Sequence, residues 1–371
     1  SSKGPPVTIP SAVRDLFSPA PGLAYLDAAT YGLPPKPTVE ALERALRRWQ
    51  DGTADWVNEW DREGEACRAL FAELIGATTE EIALIPTVSV GVGTIAASLP
   101  TGTEVLVPEG EFTSVLFPFL VAQQERGVRV REAPFATLHE AIGAGTGLVA
   151  FSLTQSQSGR TAPLAAICEA ATHYGVRVLV DATHATPFVP VAAQLPAIDY
   201  LICHGYKHLL CPRGVSFFYV RHDRWDDLPP ILANWRTTAP LYGNSYGGPL
   251  LHRADASRFD VSLAWHAWVG ARPSLELLVK WQGEGILTSV LDLSARLAAG
   301  LGLEPPTSSI VCLSVPDADA AETALAEAGF KCPARGGNVR LSPHVYNTPE
   351  EIDRAVDAIA SLSARTAPRT A

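Results

Sequence analysis

Lysine is scarce in this 371-residue sequence, occurring only at Lys3, Lys36, Lys207, Lys280 and Lys331. No basic run stands out, and Asp plus Glu outnumber Lys plus Arg by 39 to 29, for a net charge of −10. Such a field repels phosphates, so nucleic acid and anionic lipid are not expected partners and a small molecule is. The six cysteines (Cys67, Cys168, Cys203, Cys211, Cys312, Cys332) form no CxxC pair. That spacing argues against a metal site and against a disulfide framework, leaving reduced thiols as the expectation. No apolar run approaches the roughly 20 residues that span a bilayer. The segment from Ser1 to Pro6 lacks the charged-then-apolar layout of a signal peptide, and a cytoplasmic protein is expected. Methionine is absent altogether.

What is present is a chain rich enough in apolar residues, at 47%, to bury a large core. Compact β-rich runs recur from about residue 80: 82–87, 104–107, 147–152, 176–180, 200–203 and 215–220. Between two of them, Leu164, Ile167, Ala171 and Tyr174 fall at helical spacing. The pattern predicts an α/β fold with a mainly parallel mixed sheet flanked by helices, and a smaller C-terminal α+β domain. The expected division is an N-terminal segment 1–30, a large domain 31–271 and a small domain 272–371. The small domain begins with a long helical stretch to about Leu301. Strands at 308–314 and 339–341 bracket a helix at 319–329, and a last helix opens with a capping box at Thr348 and Glu351.

In open α/β sheets the ligand site lies beyond the carboxyl ends of the strands. Asp181 closes one β-run, where a carboxylate can keep a pyridinium nitrogen protonated; it can equally cap a helix. Lys207 follows the next run, in Cys203-His-Gly-Tyr-Lys-His208, where apolar neighbours lower an amine pKa by desolvation; a lysine can equally be an exposed surface residue. The stretch from Thr87 to Gly93 puts small residues and a hydroxyl at a helix N-terminus, a phosphate cradle or a simple tight turn. Asp181 and Lys207 sit at the ends of successive strands, on one edge of the sheet.

With phosphate loop, ring acid and lysine in that order, the chain resembles the fold-type I pyridoxal-phosphate (PLP) enzymes of aminotransferase class V. That group includes cysteine desulfurases, isopenicillin N epimerase and ergothioneine-type carbon-sulfur lyases. The stretches that carry the resemblance are Tyr25-Leu-Asp-Ala-Ala-Thr30, Val178-Leu-Val-Asp-Ala-Thr-His184, Gly205-Tyr-Lys-His208 and the long run from Arg335 to Thr348. It implies PLP on Lys207 as a Schiff base, with phosphate contacts from Val88, Ser89, His204 and Tyr206. It further implies Asp181 at the ring nitrogen, Phe112 and Thr183 on the two ring faces, and Gln155 and His184 near the phenolic oxygen. Arg340 matches the arginine that grips the substrate carboxylate, with Ala29 and Tyr31 beside the substrate. Ser262 matches a residue that reaches a partner's cofactor phosphate, so a homodimer is implied.

The resemblance leaves the reaction open. Cys332 lies only eight residues before Arg340, closer than the desulfurase pattern puts its nucleophile. β-Elimination from a cysteine S-conjugate, which needs no such thiol, is the leading expectation. Tyr31, Trp56, Trp60, Trp235 and Tyr242 offer aromatic surface for a bulky conjugate, with at least half of them expected to serve core or dimer packing instead. The rivals are transamination, epimerisation or oxidative decarboxylation-deamination of a specialised amino acid in natural-product biosynthesis, cysteine desulfuration, and a catalytically silent scaffold.

Overall fold

The structure, a computed structural model, describes residues 8–366. The segment from Ser1 to Pro6, Lys3 included, lies outside the described residues. Helix α1 (Ser11–Arg14), strand β1 (Ala24–Tyr25) and helices α2 (Lys36–Asp51) and α3 (Arg62–Ile75) precede the main sheet. Its strands are β2 (Ile82–Ile85), β3 (Glu104–Pro108), β4 (Arg129–Ala133), β5 (Thr146–Ser152), β6 (Arg177–Asp181), β7 (Tyr200–His204) and β8 (Ser216–Val220). Helices α4 (Val88–Ser98), α5 (Thr113–Arg126) and α6 (Leu164–Tyr174) cross between them.

The strand order is β2-β8-β7-β6-β5-β3-β4, with β8 antiparallel to both its neighbours and the other pairings parallel. Val178 and Val180 face one apolar layer and Leu179 the other. This alternation within an unbroken apolar run is what a sheet covered on both faces produces. Strand β4 escapes the sequence reading for the opposite reason. It is an edge strand of sequence Arg-Val-Arg-Glu-Ala, and only Ala133 is buried.

Beyond the sheet come α7 (Trp265–Gly283), α8 (Thr288–Gly300), β9 (Val311–Ser314), α9 (Ala318–Glu327), β10 (Phe330–Lys331), β11 (Ala334–Arg335), β12 (Asn338–Leu341) and α10 (Pro349–Thr366). The single helical stretch expected from residue 272 is in fact two helices, and the first starts earlier, at Trp265. Gly285, at φ 73°, reverses the chain, and the Ile286 amide returns to the Trp281 carbonyl at 2.9 Å, a glycine-terminated helix end. The position between residues 271 and 272 thus falls inside α7, which packs on α2 and α3. The expected strand from 308 begins only at Val311, because Ser308 Oγ donates to the Gly159 carbonyl at 2.7 Å and docks that stretch on the larger unit. The capping box of α10 forms as expected: the Glu351 amide donates to Thr348 Oγ1 and the Thr348 amide to Glu351 Oε2, both at 3.2 Å.

Strand β1 pairs in parallel with β10, and Asp27 bridges to Ser342. The N-terminal segment is thereby tied to the small unit that carries Arg340. Its other end reaches the lysine loop, where the Gly32 amide donates to the Tyr206 carbonyl at 2.9 Å.

Candidate active site

The carboxyl ends of β2, β5, β6 and β7 open on one cavity of about 160 Å³. From β2 the chain enters α4, whose first turn has no side-chain cap, so the amides of Val88 and Ser89 are available to an anion. Asp181 ends β6 and Ser152 ends β5, and the two are register partners. His204 ends β7, and Tyr206 and Lys207 follow it into the cavity wall. Phe112, 47% exposed, caps α5 at the mouth, its ring centroid 5.4 Å from Lys207 Nζ.

Lys207 is only 8% exposed. Burial pulls its ammonium down to about 8; Asp181 opposes this, while Arg340 and Arg213 add to it. Its Nζ lies 2.8 Å from His184 Nε2. Asp181 accepts the Thr183 amide at 2.9 Å, and burial pushes its carboxyl above the usual range against the pull of Thr183 and Lys207. A cation beside Asp181 would restore the carboxylate. Thr183 Oγ1 in turn accepts the His204 amide at 3.0 Å. His204 Nδ1 pairs with the Val215 carbonyl at 2.9 Å, while its buried Nε2 has no partner among the described residues. Burial takes this ring down to about 4, so it is neutral at physiological pH.

Nine of the residues singled out from the sequence therefore line one cavity: Val88, Ser89, Phe112, Asp181, Thr183, His184, His204, Tyr206 and Lys207. Gln155 does not. Its Nε2 donates to the Glu109 carbonyl at 3.1 Å, and it faces an adjoining cavity of about 140 Å³ shared with Glu111, Phe112 and Ser152. Arg340, 4% exposed, stands apart on β12 opposite Cys312. It donates to Thr30 Oγ1 at 2.7 Å and the Ser156 carbonyl at 3.2 Å, lies 3.6 Å from Asp27 Oδ1, and keeps a buried Nε without a partner. The Ala29 amide is held by Ser342 Oγ at 2.8 Å. Tyr31 is 46% exposed, and Ser262 is exposed and outside the cavity.

The aromatic residues expected around a bulky substrate are placed otherwise. Trp56 stacks on Trp265 at 5.0 Å and meets Trp235 edge-on at 5.8 Å, with Trp60 and Tyr242 in the same cluster. Tyr242 Oη and Trp265 Nε1 both donate to buried Asp61, which is ion-paired with Arg236. Apart from Tyr31, these side chains serve that cluster.

The sequence reading missed Glu111. Both its oxygens are engaged: Oε1 takes the Phe112 amide at 2.8 Å and the Ser152 hydroxyl at 2.5 Å, and Oε2 takes the Ser152 amide at 2.9 Å. Burial lifts its carboxyl to about 7 despite these donors, with Asp181 adding to the rise. Its position directly before Phe112 was the available signal. Arg213, whose guanidinium lies 4.9 Å from the Tyr206 ring centroid, was missed as well.

The donor set fits PLP. An uncapped helix start suits a phosphate, whose charge would favour the imidazolium form of His204 and so make its orphaned Nε2 a donor; a buried acid suits a ring nitrogen, and a buried amine of lowered pKa suits an aldehyde. Among the described residues no group of side chains could hold a metal ion, and no helix is long and apolar enough to cross a membrane. The chain is 27% identical to isopenicillin N epimerase of Streptomyces clavuligerus over 337 residues, covering 80% of this chain and 83% of that protein. Among solved structures it superposes on the apo cysteine desulfurase of Thermococcus onnurineus NA1 with TM-score 0.83 and 20% identity, covering 97% and 99% of the two chains. It also superposes on the cystine C-S lyase C-DES in complex with its reaction product cysteine persulfide, with TM-score 0.81, 20% identity and coverage of 91% and 97%. A family model, aminotransferase class V, matches residues 24–355. With that match and the cavity it encloses, the chain belongs to the aminotransferase class V family and is a PLP-dependent enzyme acting on amino acids.

Proposed function

We propose that the enzyme is a β-eliminating carbon-sulfur lyase: a cysteine S-conjugate and water give a thiol, pyruvate and ammonia. The observation that carries this reading is a buried Lys207 of lowered pKa in a cavity that no cysteine lines. Cys332 is buried and its thiol is pushed up to about 12, and Cys312, half-buried, to about 11. Neither is a thiolate poised to take sulfur from a substrate, as a desulfurase requires. The name of C-DES as a cystine C-S lyase supports the same class of reaction.

In this reading Val88, Ser89, His204 and Tyr206 hold the cofactor phosphate, Asp181 faces the ring nitrogen, and Phe112 and Thr183 cover the ring. His184 lies at the phenolic oxygen, and Gln155 reaches it after releasing the Glu109 carbonyl. When bound, PLP supplies an electron sink for the pair left at the substrate α-carbon. Lys207 anchors the cofactor and, once free, moves the proton at that carbon; an amine at about 8 exchanges protons readily near neutral pH. Arg340 orients the substrate carboxylate, for which its unpartnered Nε is available. A homodimer, with Ser262 directed to the partner's phosphate, belongs to the same proposal.

Epimerisation is the second reading, favoured by the relative named isopenicillin N epimerase. It needs a second proton donor, and Phe112 carries no transferable proton. The test supplies a cysteine S-conjugate to the PLP-loaded enzyme without a keto-acid acceptor. Thiol and pyruvate in equal amounts, unchanged in Cys332→Ala, are expected. Racemised substrate without pyruvate would favour epimerisation, and loss of sulfur release in Cys332→Ala would favour desulfuration.

A further inference from the structure

Behind Lys207 lie three buried imidazoles, from His184, His208 and His344. The His184 and His208 rings are 5.7 Å apart at 70°, and those of His208 and His344 are 6.2 Å apart at 18°. Phe188 closes the side, 5.4 Å from His208 and 5.2 Å from His344. Burial holds all three below the usual range; Lys207 and Arg340 push His184 and His208 further down, His208 lowers His184, His344 lowers His208, and only the hydrogen bond to the His208 carbonyl raises His344. Neutral imidazoles have one N–H each, so their tautomers follow from their partners.

His344 is settled. Its Nδ1 accepts the Val345 amide at 2.8 Å, so its proton is on Nε2, which donates to the His208 carbonyl at 3.0 Å. His184 follows from its contact with Lys207. At neutral pH the lysine is mainly an ammonium, which has three donors and no acceptor, so His184 Nε2 must accept and its proton must sit on Nδ1. That Nδ1 is buried without a partner among the described residues, as are both ring nitrogens of His208. A donor and an acceptor thus stand unmatched on rings whose centroids are 5.7 Å apart, and buried polar atoms of this kind are ordinarily paired, by a shared water where no protein group serves.

We propose that a bound water joins His184 Nδ1 to His208, and that through it His208 fixes the tautomer of His184 as a positioning residue for the Lys207 amine. With Nε2 always an acceptor, one amine N–H of Lys207 is drawn to His184. The lone pair of the free amine is then turned away from that ring. The inference rests on the reading of Lys207 given above.

The test is nitrogen NMR of the full-length chain, histidine-labelled and freed of cofactor, at about pH 9.5, where Lys207 is a neutral amine that can donate or accept and no longer dictates the tautomer itself. Wild type is expected to show His184 protonated on Nδ1, His208→Leu a mixture of tautomers, and His208→Gln, which keeps an acceptor, the wild-type state. After reloading with PLP, turnover of His208→Leu falls about tenfold to a hundredfold, by analogy with the outer partner of a metal-bound imidazole, and His208→Gln recovers most of it. A His184 proton on Nε2 in wild type, or a tautomer unchanged in folded His208→Leu, overturns the proposal. If His208→Leu does not fold, the wild type and His208→Gln decide, and a mixed tautomer in His208→Gln overturns it. Cofactor attachment at a lysine other than Lys207 would instead overturn the reading on which it rests.

Discussion

Replacing Glu111 with Gln removes a buried charge while keeping the shape of the side chain between Phe112 and Ser152. In the folded chain Glu111 titrates at about 7, against an ordinary value of 4.5. At about 1.4 kcal/mol per pKa unit, that difference corresponds to about 3 kcal/mol. The folded state holds this proton more tightly than the unfolded chain. The contribution is therefore fully present below about pH 4.5 and is lost as pH rises through 7. Gln does not titrate, so the stability of wild type minus that of Glu111→Gln should fall by about 3 kcal/mol between roughly pH 4 and pH 8. Taking the difference cancels groups that titrate in both proteins, such as His204. The assay is urea unfolding of the cofactor-free chain followed by tryptophan fluorescence, without ligand linkage. Parallel stability profiles for the two proteins across that range would refute the reasoning.

Arg340→Lys keeps the charge but loses the planar fork, and KM for the amino acid should rise about tenfold to a hundredfold, the worth of one charge-assisted hydrogen bond; an unchanged KM in steady-state kinetics would remove Arg340 from the substrate site. Gly32→Ala would place a methyl carbon 2.3 Å from the Lys207 carbonyl oxygen, so a loss of about 1–3 kcal/mol and weakened PLP retention are expected. Gly145→Ala, in a turn away from the cavity and meeting nothing within 4 Å, is the control, and equal thermal midpoints and PLP retention for the two variants would show the Gly32 contact to be unimportant.

The sheet was legible where strands are buried on both faces. Runs such as Val178-Leu-Val180 cannot be satisfied at a surface, so burial and sequence coincide. Where one side meets water, as in β4, polar residues mask the strand, and in α7 an internal Pro273 hid a helix that begins eight residues earlier. Asp181 and Lys207 could be found because strand ends concentrate in one place in this type of sheet. Glu111 had only its place before Phe112 to mark it, because its burial depends on Ser152, 41 residues away. His208 looked like any residue after a lysine until His344, 136 residues on, closed over it. Likewise the aromatic cluster around Asp61 depends on Arg236, 175 residues distant, which no inspection of single residues reveals.

The central claim is that Lys207 is the amine that carries the cofactor. Borohydride reduction of the PLP-loaded enzyme followed by peptide mass spectrometry tests it most directly. The account predicts the cofactor's mass on the peptide containing Lys207, and neither visible absorbance nor a labelled peptide in Lys207→Ala. Label on Lys3, Lys36, Lys280 or Lys331, or a labelled Lys207→Ala protein, would contradict it.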